Sequence, residues 1–305
     1  MQVWNDLKHQ GQKLQGASVT IGNFDGLHVG HQTLLAALKQ GPAPRVVITF
    51  DPHPIQILYP DRALKRLLPR QDLVEQLPKY DIDVLWTIPF STEFAKLTAT
   101  DFLHRFVAEP FAPKYVVAGY DFGFGKGREG QLDTLRAWCS AQGCQLNVVS
   151  AQQVQQVTVS SRLLRELLAK GDVEQVQLYL RRPFYLRGAV IKGEGRGRLI
   201  GVPTLNQKVE NETLPAAGVY ITQVLCKGTL YPAVTNIGIN PTFHAEGAVK
   251  VESHLLVPCS LTTGDRLDVQ LIKYLRPEQR FASVEDLKNQ IGSDILKAKQ
   301  HFGII

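Results

Sequence analysis

The chain has 305 residues, enough for more than one domain and a sizeable buried core, and its 44% hydrophobic and 20% charged content excludes a chiefly disordered polypeptide. Lys and Arg (34) outnumber Asp and Glu (28), a net charge of +6 shared by both halves without a basic block, which suits small anionic substrates and offers no nucleic-acid stripe. No leader-like N-terminus or membrane-length apolar run occurs, and Cys139, Cys144, Cys226 and Cys259 fit neither zinc spacing nor a disulfide framework, so a reducing, cytoplasmic location without membrane partners is expected.

The first predicted strand covers 17–23, and a helix is predicted near 30–40. Between them runs Gly22-Asn23-Phe24-Asp25-Gly26-Leu27-His28-Val29-Gly30-His31. Glycines admit close backbone approach, and a helix start offers free N–H groups and partial positive charge to phosphates. His28 and His31 are three apart and share a helical face, so both can donate to one anion. This arrangement suits nucleotidyl transfer, in which the second substrate attacks the α-phosphate and the protein supplies position and charge stabilisation. The plainer reading is a pair of histidines that merely cap a helix.

Further strands are predicted at 45–50, 83–88, 114–119 and 146–150, with helices near 70–78, 99–108, 130–141 and 160–180. Alternation of this kind implies a doubly wound parallel sheet with ligands at the carboxyl ends of its strands. Two loops should gather there. One is Asp51-Pro52-His53-Pro54, stiffened by its prolines; the other is Asp121-Phe122-Gly123-Phe124-Gly125-Lys126-Gly127-Arg128, whose aromatics and cations suit a flat ring with a phosphate. Burial in the core is the competing fate of Phe122 and Phe124. Ser160 or Ser161 can cap the last helix, and Arg165 can reach phosphates from it.

The texture changes near Arg181-Arg182-Pro183, which gives two expected domains, 1–182 and 183–305. The second shows alternating runs at 185–192, 198–209, 217–226, 229–236, 248–257 and 266–274, the pattern of a six-stranded antiparallel β-barrel, followed by a helix from Ser283 onward. Its polar centre is Gly193-Glu194-Gly195-Arg196-Gly197-Arg198-Leu199-Ile200-Gly201-Val202-Pro203-Thr204-Leu205-Asn206. The glycines let a loop lie over phosphates, and Thr204 and Asn206, two apart on a strand, face the same way and can share one Mg²⁺. Phosphoryl transfer to an alcohol also needs a group that orients or deprotonates the hydroxyl; Glu252, on the face opposite Val251 and Ser253, is the candidate.

The first motif carries the His-x-Gly-His signature of nucleotidyltransferases, and with its Gly-Asn-Phe-Asp-Gly lead it resembles the adenylyltransferase half of prokaryotic bifunctional FAD synthetases. The loops after the second and fourth strands and the Ser160-Ser161 helix resemble the same family. Pro203-Thr204-Leu205-Asn206 and Val251-Glu252-Ser253-His254 resemble its riboflavin kinase half, and the likeness runs from about residue 17 to 300. It implies a nucleotidyltransferase-type domain and a riboflavin kinase barrel, which phosphorylate riboflavin with ATP and Mg²⁺ to FMN and then adenylylate FMN to FAD and pyrophosphate.

Carried over residue by residue, the resemblance implies ATP at Gly22, Asn23, Phe24, Asp25, His28, His31, Ser160, Ser161 and Arg165, and FMN at Asp51, His53, Asp121, Phe122, Phe124 and Gly125. In the kinase half it implies ATP at Gly193, Gly195, Gly197, Arg198, Gly201, Pro203, Thr204 and Asn206, flavin at Glu252, Arg276 and Phe281, metal at Thr204 and Asn206, and Glu252, His28 and His31 as catalytic groups. Docking of the terminal helix explains Arg276 and Phe281 equally well. Gly123 and Arg162 depart from the family pattern, where Arg and Thr are usual. They raise as alternatives a kinase whose adenylyltransferase half is impaired, or a flavin- or nucleotide-sensing regulator.

Overall fold

The computed structural model describes residues 1–7, 14–62, 64–193, 195, 197, 200–239 and 249–305, with the Ile239 side chain set aside. It separates into two compact units, Met1–Ser161 and Arg162–Ile305.

The first unit is built on a six-stranded, all-parallel sheet in the order β1-β4-β3-β2-β5-β6. Its strands are β1 (Gln2–Trp4), β2 (Ser18–Ile21), β3 (Arg45–Asp51), β4 (Val84–Pro89), β5 (Tyr115–Gly119) and β6 (Gln145–Val149). All four residues of β2 are buried, as are Val46, Val47 and Ile48 of β3. Such two-sided burial follows from helices covering both faces of a parallel sheet, and it explains runs of apolar residues where a one-sided sheet would alternate. The helices include α1 (Val29–Leu38), α2 (Pro54–Leu58), α3 (Arg70–Gln76), α4 (Ala99–Leu103), α5 (Glu109–Phe111) and α6 (Leu132–Ala141). A single π turn, His104–Ala108, joins α4 to α5 where one helix was expected. Trp86 is fully buried at the centre of the core, edge-on to Trp4 and Phe111, and its indole N–H donates to the Asp6 carbonyl at 2.9 Å.

Besides the short helices α2 and α5, an edge strand and a hairpin were not expected. The edge strand β1 is only three residues long, too short to show a period. The hairpin β7 (Gln153–Val154) and β8 (Val157–Thr158) turns through Gln155 and Gln156, both at positive φ, without the Asn or Gly that usually marks such a turn.

The second unit opens with α7 (Ser161–Lys170, its first residue contributed by the preceding unit) and α8 (Val173–Leu180). The expected single helix over 160–180 is broken at Gly171, with φ +80° and Tyr274 packed against it; Asp172 then caps α8 by accepting from the Gln175 N–H at 3.1 Å. The Ala216 N–H donates to the Leu168 carbonyl at 2.8 Å, so these helices group with the barrel, and the division falls ahead of the change in texture at 181–183.

The barrel closes in the order β10-β13-β12-β11-β14-β9, every pair antiparallel. Its strands are β9 (Phe184–Ile191), β10 (Leu205–Val209), β11 (Gly218–Cys226), β12 (Thr229–Ile239), β13 (Val249–Leu255) and β14 (Arg266–Arg276). The strand expected over 198–209 begins only at Leu205. Val202 and Ile200 instead donate backbone bonds to the Gly197 carbonyl, which curls the glycine-rich segment into turns. The terminal helix α9 (Val284–His301) starts at Ser283, whose hydroxyl accepts from the Asp286 N–H, and Ala298 packs on Val219, Ile221 and Val234 of the barrel.

Candidate functional site

Each unit holds its own candidate site. In the first, the chain leaves β2 at Gly22, runs through Phe24 and Leu27, both at positive φ, and enters α1 with His28 at its N-cap. Left-handed backbone at bulky residues is strained, and here it is held by the Asp25 carboxylate accepting from the Leu67 N–H at 2.9 Å, and by the Asp25 carbonyl accepting from the Ser161 hydroxyl at 2.8 Å. Asp25 and Ser161 thus shape the loop, whatever contact they make with a nucleotide. A side chain at Gly22 would press on the Phe24 ring, and one at Gly30 would lie 3.0 Å from the His28 ring, which is why the position between the two histidines is glycine.

The imidazoles of His28 and His31 stack with centroids 3.8 Å apart and planes 20° from parallel. Neither Nδ1 has a hydrogen-bond partner. Burial pulls His28 down to about 4 from 6.5 and holds His31 well below its ordinary value, with the neighbouring His28 adding to the effect. The pair is therefore neutral near pH 7, close to the free N–H groups of α1, and able to donate from its rings. An arriving polyphosphate would raise both values and draw protons onto the rings.

An open cleft of ≈ 420 Å³ adjoins this loop, lined by Asn23, Phe24 and Asp25 together with Asp51, His53, Arg66 and Arg70, among others. Asp51 is not a free carboxylate: Arg66 and Arg70 both pair with it, Arg70 Nη1 at 2.9 Å. Sequence reasoning passed over these arginines because nothing local distinguishes them from surface cations. His53 caps α2, its Nδ1 accepting from the Ile55 N–H at 3.2 Å, which leaves Nε2 as the protonated nitrogen.

The loop after β5 does not line that cleft. Phe124 is buried and packs on Phe102 of the core, while half-buried Phe122 stacks on it at 5.2 Å, so Phe122 is the ring with a face to offer. Gly125 is required by packing, since a Cβ there would fall 2.6 Å from the Ala99 nitrogen. Asp121 is exposed, and its carbonyl accepts from Arg128 at 2.9 Å. The Arg128 guanidinium lies over Gly123, its Nε 2.7 Å from where a Cβ would stand. A cation, Arg128, thus lies against the side-chain-free face of Gly123. Arg162 forms an i,i+4 ion pair with Glu166 on the exposed side of α7, Ser160 is exposed, and Arg165 lies half-buried on the same helix.

In the barrel, register decides which residues meet. Asn206 of β10 stands directly opposite Glu252 of β13, and Glu252 opposite Asn236 of β12. With Val251 and Ser253 buried inside, these three form one row on the outer face. Lys250 Nζ lies 3.1 Å from the Glu252 carboxylate, and Asn236 donates to Glu278 at 3.0 Å. His254 Nδ1 is 2.8 Å from the Pro203 carbonyl, tying the glycine-rich segment to β13. The segment lies close on the row: a Cβ at Gly193 would overlap the Asn206 amide, and one at Gly197 would come within 3.3 Å of Thr204 Oγ1. Gly195 and Gly201 have positive φ in open space, and Arg198 lies outside the described residues. Arg276 donates twice to Asp294 of α9, at 2.8 and 2.9 Å, with Phe281 5.9 Å from its guanidinium, an arrangement that docks the helix.

Among the described residues no cluster of three or more His, Cys, Asp or Glu could hold a metal. Thr204 and Asn206 offer two hard oxygens. That donor set fits a magnesium ion held mostly by phosphates and water, and no ion that needs a full protein cage.

Comparison with known proteins gives a consistent result for both units. The FAD synthetase family matches residues 10–163 and the riboflavin kinase family residues 180–302. A bifunctional riboflavin kinase/FMN adenylyltransferase of Escherichia coli K12 is 35% identical, over 95% of this chain and 94% of its own length. The protein of that description from Pseudomonas fluorescens is 33% identical over 98% and 97%. A crystal structure described as a macrolide-efflux protein from Streptococcus pneumoniae superposes with TM-score 0.88 and 27% identity, covering 96% of this chain and 97% of that one. No helix among the described residues of this chain is long and apolar enough to cross a membrane.

Proposed function

The chain belongs to the family of bifunctional riboflavin kinase/FMN adenylyltransferases, phosphorylating riboflavin with ATP to FMN and adenylylating FMN with a second ATP to FAD, and we propose that the outer-face row of the barrel and the His28/His31 loop carry these two steps.

In the kinase step the 5′-hydroxyl of riboflavin attacks the γ-phosphorus of ATP. The bond to the bridging oxygen breaks, ADP leaves, and Glu252 takes the hydroxyl proton. Lys250 keeps a compensating charge beside that carboxylate. Thr204 and Asn206 would hold Mg²⁺, which would supply charge neutralisation on the phosphate oxygens. Gly193, Gly195, Gly197, Arg198, Gly201 and Pro203 form the nucleotide-covering segment. The observation that carries this assignment is the register, which sets Asn206 and Glu252 directly across from one another.

In the adenylyl step a phosphate oxygen of FMN attacks the α-phosphorus of ATP and pyrophosphate leaves, so no protein nucleophile is needed. His28 and His31 donate ring N–H groups to the charge that builds on the phosphates, supported by the start of α1. Asn23, Phe24 and the cleft past Asp51 and His53 take the substrates. Phe122 offers a stacking face, and Arg128 supplies the phosphate cation in place of the one absent at 123.

We place the division between the activities at 182/183, where β9 is about to begin. A cytoplasmic location suits the free cysteines, three of them buried, and the ATP that both steps require. The test is a time course of riboflavin, FMN and FAD with Mg²⁺-ATP: the wild-type protein makes FMN and then FAD, and formation of neither product would overturn the reading.

A further inference from the structure

The inside of the barrel carries a second row that the reaction does not use directly. Thr222 of β11, Thr235 of β12 and Ser253 of β13 are buried at 0, 0 and 3% exposure. Their hydroxyls form a chain, Thr222 to Thr235 at 2.7 Å and Thr235 to Ser253 at 2.8 Å. Gln207 of β10, 4% exposed, extends the polar level around the wall by donating to the carbonyls of Leu186 on β9 and Leu267 on β14, each at 3.1 Å. Buried polar groups of the inner face thus come from, or bond to, all six strands, and the hydroxyl chain itself links β11, β12 and β13.

Small barrels are ordinarily filled by apolar side chains, and Val has nearly the shape of Thr. A buried hydroxyl chain therefore gives no packing advantage. It does give direction, because hydrogen bonds fix the separation and twist of the strands they link, where apolar contacts let them slide.

The level of this chain matters. Gln207, Ser253 and Thr235 are the immediate sequence neighbours of Asn206, Glu252 and Asn236. They lie on the inner face while those three lie on the outer face of the same strands. We propose that the hydroxyl chain centred on Thr235 is a positioning device for riboflavin phosphorylation, holding β11, β12 and β13 so that Asn236 and Glu252 stand at their working separation. The proposal rests on the kinase assignment above. Thr235 touches no substrate; it acts through the backbone it shares with the outer row.

The experiment uses the full chain with Thr235→Val and Thr235→Ser. For Thr235→Val the kcat of FMN formation falls roughly 10-fold, the cost of a small misplacement of reacting groups, while KM for riboflavin and ATP stays within about 2-fold. FMN-to-FAD turnover by the same preparation is unchanged. Thr235→Ser, which keeps the hydroxyl and loses the methyl, restores kcat to within about 3-fold of wild type. A Thr235→Val protein with wild-type kcat and only a lowered melting temperature would overturn the proposal, as would a Ser variant as slow as the Val variant. Should Thr235→Val fail to fold, Ser253→Ala cuts only the last link, and a kcat loss in the same direction is expected; an unchanged kcat there would overturn the proposal. A wild-type protein that made no FMN would instead overturn the kinase reading.

Discussion

In Met1–Ser161 the proposed chemistry sits where a loop enters a helix: His28 is the N-cap of α1 and His31 lies in its first turn, after a strained turn whose shape depends on distant partners at Leu67 and Ser161. In Arg162–Ile305 it sits on strands: Asn206, Glu252 and Asn236 are aligned by ladder pairing, and only the nucleotide-covering segment is a loop. Loop sites obtain precision from tertiary clamps, whereas strand sites obtain it from register, which a one-residue slip would invert. The electrostatics differ in the same way. The first site holds two neutral, partly desolvated imidazoles that gain charge when an anion arrives, while the second holds a carboxylate already paired with Lys250.

The sharpest way to break this comparison is Glu252→Gln. Loss of a general base costs roughly 10²- to 10⁴-fold in turnover, so FMN formation should nearly cease while added FMN is still converted to FAD. Coupled loss of both activities, measured by chromatography of the flavins, would contradict a strand-borne site confined to the kinase step. His28→Ala is the mirror experiment. Removing a preorganised donor from a developing charge costs on the order of 10²-fold, and FAD formation alone should fall.

Arg128→Ala tests whether the cation over Gly123 replaces the missing one. A charge-assisted hydrogen bond of about 1.5–3 kcal/mol translates to a KM for FMN raised roughly 10- to 100-fold, with KM for riboflavin in the kinase step unmoved. An unchanged KM for FMN would return Arg128 to a loop-stabilising role.

How far the sequence revealed these sites follows from how local each one is. The His28/His31 motif is contiguous, and Asn206 and Glu252 obey the two-residue alternation of their strands, so their types and faces were legible, whereas Thr204, expected on the same strand as Asn206, lies just ahead of β10. Asn236 ends the strand expected over 229–236, yet only pairing across β12 and β13 shows that it stands beside Glu252. Arg66 and Arg70 acquire meaning through Asp51, fifteen and nineteen positions away, and Arg128 through the absence of a side chain at 123. The parallel sheet and the barrel were legible from their periods. The early start given to β10 was not corrected by pattern alone, because Arg198–Asn206 contains β-compatible residues and the glycine turns win only in three dimensions.

A milder effect separates the units by pH. The His28 imidazole is held at about 4 in the folded chain and titrates near 6.5 when unfolded. Between those values the unfolded chain binds the extra proton, so stability of the first unit is complete above pH 6.5 and falls as pH drops toward 4. His28→Gln should flatten that slope in thermal melts across the interval, and an unaltered slope would show that other groups set it. Saturating ATP should shift the histidine titration upward, detectable as proton uptake on binding in buffers of different ionisation enthalpy. The smallest expected effect is Ser283→Ala at the cap of α9, about 1 kcal/mol of stability lost from the barrel unit, with neither reaction changed.

The most direct measurement supplies one preparation with riboflavin and Mg²⁺-ATP and another with FMN and Mg²⁺-ATP, for wild type, Glu252→Gln and His28→Ala in parallel. The account predicts that Glu252→Gln makes FAD from FMN but no FMN from riboflavin, and that His28→Ala makes FMN from riboflavin and stops there. If either substitution abolished both conversions, or neither, the assignment of one reaction to each unit through these residues would be wrong.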